Sequence, residues 1–191
     1  MIACREADAI TGHVDDFSWI PQGLSDTQLN EAVPTNWNYE ILQDTLFESE
    51  VYNPELEETV FIESKDCITN APELVRLTGN IALTHTDPTS SYTKRRLVYG
   101  GHTIALAFAQ ILRAFPNLVT ILGWQGCDHL APVNEEDVIK SEFIVKKMRR
   151  HSEGNIIELT CSSYVVGNAL NVDKDYSPVK VLKWDLVIFS V

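Results

Sequence analysis

The sequence predicts an α+β fold in which an antiparallel sheet wraps around a long buried central helix. Three observations carry this prediction. The run from His102 to Phe115 is apolar nearly all round, with Ala filling the gaps. A helix without a wide polar face is normally buried on most sides. The β-rich segments after it are joined by short, hairpin-length links. No helical segments alternate with those later strands, which excludes a parallel doubly wound sheet.

Residues 1–55 differ from the rest. They hold Pro21, Gly23, Pro34 and Pro54, scattered aromatics (Phe17, Trp19, Trp37, Tyr39, Phe47) and many acids. Short elements are expected near 25–32 and 40–52, without strong periodicity. This irregular N-terminal segment is expected to wrap on the main domain as a layer or to reach a partner as an arm. Residues 56–191 form the main domain.

Thr59 to Ser64 reads as a strand, being rich in β-branched and aromatic residues. A short helix follows, with Thr69 or Asn70 as cap, Pro72 and Glu73 in its first turn, and Gly79 as its stop. Thr86 to Arg96 is a polar loop with turn chemistry at Asp87-Pro88 and Ser90-Ser91. Tyr99-Gly100-Gly101 leads into the central helix, which Pro116 and Asn117 end. Leu118 to Trp124 is the next strand. Val138 to Met148 alternates, with Ile139, Phe143 and Val145 opposite Lys140, Glu142 and Lys146. Asn155 to Val166 alternates again, after a hairpin signal at Ser152-Glu153-Gly154. In Val179 to Phe189, Leu182, Trp184, Leu186 and Ile188 share a face.

Composition bounds the function. The 191 residues include 15 Lys+Arg and 27 Asp+Glu, a net charge of −12. Such a balance repels nucleic acid and anionic membrane surfaces. The basic spots at Lys94-Arg95-Arg96 and at Lys146, Lys147, Arg149 and Arg150 read as solvated faces. No apolar run has transmembrane length and the N-terminus lacks a signal-peptide core, so a cytoplasmic protein is expected. Cys4, Cys67, Cys127 and Cys161 form no CxxC pair and no zinc spacing, and are expected to be buried free thiols.

Two segments hold candidate chemistry. In Leu77 to Pro88, Asn80 precedes His85 by five residues, just after a short helix; histidine gives and takes protons near neutrality. In Tyr99-Gly100-Gly101-His102, glycines permit close approach of a ligand, and free N–H groups at a helix start can polarise a carbonyl. The same glycines also suit a tight turn feeding the helix. Cys127 and His129 share a strand face without a third orienting group, so a thiol nucleophile is disfavoured. His85, His102 and His129 have no local metal-binding spacing, and no metal site is expected.

These segments, in this order, resemble the MaoC-like hot-dog-fold acyl dehydratases, which include the R-specific enoyl-CoA hydratases. The family motif Gly-Asp-x-Asn-Pro-x-His corresponds to Gly79-Asn80-Ile81-Ala82-Leu83-Thr84-His85, followed by Thr86-Asp87-Pro88. Tyr99-Gly100 stands at the family's His-Gly step before its buried helix. Ala131 to Asp137 is similar to the family's Pro-Val-x-x-Gly-Asp turn. The resemblance spans roughly residues 57–190. Arg96 to Ile104, Pro116 to Thr120 and Cys127 to Val133 also resemble one half of double-hot-dog acyl-CoA dehydratases. Asn80 replaces the family's catalytic Asp, Ala82 its Asn and Leu83 its Pro, whereas His85 is retained.

The resemblance implies syn hydration of a trans-2-enoyl thioester, CoA-linked, or the reverse dehydration. His85 is the expected acid/base and Asn80 the orienter of water or substrate. Tyr99, Gly100, Gly101 and His102 are the expected substrate-binding residues, with the two glycine amides on the thioester carbonyl. Asp87 or His102 is a candidate replacement for the missing carboxylate. No redox cofactor or metal is implied. The expected partners are an acyl thioester and either a second copy of the chain or a hot-dog subunit. The alternatives are a non-catalytic acyl-CoA-binding or partner subunit, favoured by Asn80, and a hot-dog thioesterase, which usually needs a carboxylate near the central helix.

Overall fold

The computed structural model describes residues 23–43, 60–62, 65–171 and 176–191. Two short helices come first: α1 (Asp26–Ala32) and α2 (Tyr39–Gln43). The part of the expected second element beyond residue 43 lies outside the described residues. A reciprocal capping box starts α1, in which Ser25 Oγ accepts from the Gln28 amide and Gln28 Oε1 from the Ser25 amide.

Next come β1 (Val60–Ile62), β2 (Asp66–Cys67) and α3 (Ala71–Leu77). Asn70 is at the N-cap position, but in a left-handed conformation and without a side-chain cap. Gly79 (φ 66°) ends α3 as predicted. The Gly79 amide donates to Arg76 O and the Asn80 amide to Val75 O, a Schellman pattern that delivers the chain into the loop before His85.

The long helix α4 (Gly100–Ala114) begins at Gly100, two residues earlier than predicted, so both glycines lie in its first turn. It is followed by β3 (Leu118–His129), β4 (Asp137–His151), β5 (Gly154–Asn168) and β6 (Val179–Ser190). The sheet is antiparallel, in the order β1-β4-β5-β6-β3, with β2 also paired to β4. Residues 152–153 link β4 to β5, with His151 paired to Gly154 as the hairpin signal requires. Strand β3 runs on past Trp124 to His129 through register shifts, one of them between Trp124 and Gly126.

The alternation read from the sequence sets the core. Phe143, Val145, Leu159, Cys161, Leu182, Trp184, Leu186 and Ile188 form one sheet face and pack on Ala107, Ile111 and Ala114 of α4. Complete burial of such side chains stabilises by about 1.5–3 kcal/mol each. On the opposite face, Leu29, Val33 and Tyr39 cover Ile156, Val187 and Phe189. Arg149 fastens this layer, reaching Asp26 at 2.6 Å and Glu158 at 3.2 Å. The basic cluster on β4 therefore docks α1 in part.

One expectation holds with a refinement and one needs correction. The central helix is covered on most of its surface, with one narrow open face: Thr103, Ala107, Gln110, Ile111 and Ala114 form its buried stripe, and Ala105, Leu112 and Arg113 are its exposed residues. The sheet covers the buried stripe of α4, and Leu106 packs against a second cluster with Ala71, Val98 and Val133. The thiols, by contrast, are not all buried. Cys161 is buried, Cys127 partly so and Cys67 exposed, because β2 is a two-residue strand. Cys4 lies outside the described residues.

Candidate functional site

The site is assembled from three parts of the chain that meet at the start of α4. The first is the loop after α3. Its single 3-10 turn, Leu83–His85, orients His85. His85 Nδ1 lies 2.8 Å from Leu97 O, and the Leu97 amide returns a bond to Thr84 O. A carbonyl only accepts, so Nδ1 carries a proton, which leaves Nε2 as the ring nitrogen that faces a substrate.

Asn80 is differently engaged. Its Oδ1 accepts from the Ala82 amide at 3.0 Å, an Asx-type turn that shapes the loop. Asp87 caps the turn Pro88–Ser90. Hydrogen bonds from the Thr89 hydroxyl first, then the Thr89 amide and Ser90 hydroxyl, hold its carboxyl below the usual range. A carboxylate so committed is a poor proton acceptor near neutrality.

The second part is the first turn of α4, which has no side-chain cap. Tyr99 precedes it, with its ring edge-on to His85 at 6.0 Å between centroids. Glycine is needed here for space. A Cβ on Gly101 would lie 2.7 Å from Tyr99 Cζ, and one on Gly100 would lie 2.8 Å from His129 Nε2. Neither glycine has a positive φ, so the tight-turn explanation of this pair does not apply. His102 sits in the same turn. Its Nδ1 is buried without a hydrogen-bond partner, and burial pushes its pKa down.

The third part is the end of β3. His129 pairs with Leu182 in the sheet and lays its ring against Gly100. Burial also lowers its pKa. Cys127, two residues earlier, packs toward the core, and burial followed by Asp128 pushes its thiol up. A raised thiol pKa is the opposite of what a nucleophile needs. Among the described residues no group of three His, Cys, Asp or Glu side chains is placed to hold a metal ion. Thus Tyr99, Gly100, Gly101 and His102 meet at one helix start, and His85 joins them through Tyr99. The sequence weighed His129 only as a thiol partner or metal ligand. Its contact with Gly100 had no local signal, because the predicted strand stopped at Trp124.

Arg95 and Arg96 are structural. Arg95 reaches the buried Asp137 at 3.0 Å, Arg96 pairs with Glu135, and Asp137 also takes Asn168 at 2.9 Å. A cleft of about 720 Å³ is bounded by these groups, Ala131, Tyr176 and Val181. Its walls do not include His85, Gly100 or His129.

No protein-family model matches the sequence, and no curated protein matches it significantly. Solved structures do. A Mycobacterium tuberculosis protein with a double hot-dog fold, essential for bacterial survival during infection, superposes with a TM-score of 0.71. It is 36% identical, and the match covers 81% of this chain and 45% of that one. The chain has the hot-dog fold. The hot-dog domain described here thus spans under half the length of that relative. A MaoC-domain protein assigned as a dehydratase, from Chloroflexus aurantiacus, superposes at TM-score 0.61 and 17% identity, over 87% of this chain and 48% of that one. An (R)-hydratase of Aeromonas caviae involved in PHA biosynthesis gives 0.56 and 18%, over 73% of this chain and all of that one. At these lower identities the likeness is one of fold.

Proposed function

We propose that this hot-dog domain acts on acyl thioesters, hydrating a trans-2-enoyl thioester or dehydrating the matching 3-hydroxyacyl thioester, with CoA as the carrier. The observation that carries the reading is the uncapped start of α4, with His85 fixed beside Tyr99 and held through Nδ1 so that Nε2 is left for chemistry. In the hydration direction, the Gly100 and Gly101 amides donate to the thioester carbonyl and polarise the double bond. His85 Nε2 takes a proton from water as the water oxygen bonds to Cβ. The same proton then passes to Cα, so water adds without net oxidation. The Asn80 amide N–H groups hold that water, since Asn80 Oδ1 is already bonded. The reaction needs no redox cofactor or metal ion, because proton transfer and carbonyl polarisation suffice. Free thiols suit a reducing, cytoplasmic setting.

A second reading is favoured by one observation: Asn80 supplies no carboxylate, and Asp87 is spent on its own turn. The domain then binds acyl thioesters for a catalytic hot-dog partner. Pairing, with a second copy or with such a partner, belongs to both readings. Support comes from the double-hot-dog relative, of which this chain matches 45%.

A spectrophotometric assay with trans-2-enoyl-CoA esters of several lengths tests the readings on wild type, His85→Ala and Asn80→Asp. Turnover by wild type with a loss of about 10²–10⁴-fold in folded His85→Ala is expected for the hydratase. Equal rates in the two would sink this role for His85. A silent wild type with an active Asn80→Asp would select the binding reading.

A further inference from the structure

We propose that His129 is a third carbonyl-binding group of this site, its Nε2–H donating to the thioester oxygen held by the Gly100 and Gly101 amides. The inference rests on the acyl-thioester reading above and adds a residue to it. Its basis is geometric. His129 is the last residue of β3, and its backbone is fixed on both sides: it pairs with Leu182, and the next amide, that of Leu130, donates to Val181 O at 2.9 Å. The ring edge carrying Nε2 faces Gly100, close enough that any side chain there would strike it. Nε2 thus stands within side-chain reach of Gly100, and the proposal places the oxygen held by the first amides of α4 beside it.

The ring is not used elsewhere. Among the described residues it makes no hydrogen bond, and the residue remains exposed to an incoming ligand. The task calls for the neutral ring. Burial lowers its pKa, and the positive end of the helix dipole opposes an imidazolium. A neutral imidazole set against a helix N-terminus can polarise a carbonyl by donating its N–H. As Cα waits for its proton, negative charge accumulates on the thioester oxygen, and His129 strengthens its hydrogen bond at that moment. It neither gains nor loses a proton. That role differs from proton transfer by His85 and does not require the missing carboxylate.

The test compares His129→Phe, which keeps a ring but no donor, with His129→Gln, which keeps an N–H donor. Both are assayed on crotonyl-CoA after circular dichroism confirms folding. The expected result is a fall in kcat of about 100-fold for His129→Phe, KM changed little, with much of the rate retained by His129→Gln. Wild-type turnover matched by His129→Phe would overturn the proposal while leaving the hydratase reading intact. A wild type silent on every enoyl-CoA ester would instead remove the hydratase reading. The proposal is then decided by the ¹⁵N resonances of the histidine rings during titration with butyryl-CoA, a saturated ester that cannot be hydrated. A shift at His129 Nε2 would support the carbonyl contact, and its absence would overturn it. The same titration decides if His129→Phe does not fold.

Discussion

Gly100 and Glu136 pose opposite problems at single positions. Gly100 has an unremarkable backbone and lacks room for a side chain. Glu136 has a side chain but a φ of 70°, which glycine tolerates better. It stands where the Pro-Val-x-x-Gly-Asp turn has its glycine, so the sequence located the turn but not its strain. Glu136→Gly is expected to raise stability by about 1 kcal/mol, read as a higher midpoint in urea at unchanged slope. A lower midpoint would mean that the Glu136 contact with Cys67, 3.9 Å to the sulfur, outweighs the backbone gain. Local spacing in the sequence singled out His85, Tyr99 and the glycines, and the structure brings them to one helix start. That spacing could not reveal that Asn80 spends its oxygen on Ala82, because an amide and a loop alone do not fix a rotamer. It also could not bring position 129 to position 100, which takes the whole sheet.

Among the elements, β4, β5 and β6 were legible because their faces alternate cleanly. Strand β3 was truncated in prediction because Gln125 and Gly126 interrupt its apolar run at a register shift. The helix α4 was readable in type, length and burial, because its apolar residues run nearly all round it; the narrow open face at Ala105, Leu112 and Arg113 had no signal of its own. α1 had the weakest signal, because a seven-residue helix gains little from propensity and depends on docking. Leu29 is fully buried in that docking. Leu29→Ala is therefore expected to cost about 2–5 kcal/mol in urea denaturation, with the sheet unfolding in the same transition. A loss below about 0.5 kcal/mol would make α1 an appendage that contributes little to the fold.

At the scale of the molecule, two surfaces are open among the described residues. Among the described residues β3 pairs on one side only, with β6, and α4 shows Leu112 on its uncovered side. Trp124 lies on β3, 51% exposed, with its ring edge-on to buried Trp184 at 4.9 Å between centroids. An unprotected edge with an exposed aromatic invites another strand. Light scattering is expected to give the mass of a pair for the purified protein, and of a single chain for Trp124→Lys with its circular dichroism unchanged. A wild type that stays a single chain at all concentrations would argue against self-pairing and for a different hot-dog partner.

The position of β6 between β5 and β3 also sets the order of events when the protein is made. β6 is later in the chain than both strands it joins. During synthesis β3 emerges first and must wait about fifty residues for its neighbour, several seconds at roughly 5–20 residues per second. Throughout that interval the nascent chain shows two unsatisfied strand edges and the apolar stripe of α4. Closure then depends on contacts distant in sequence, the slow kind. The acidic balance of the sequence, −12 over its 191 residues, favours repulsion between such chains until β6 arrives.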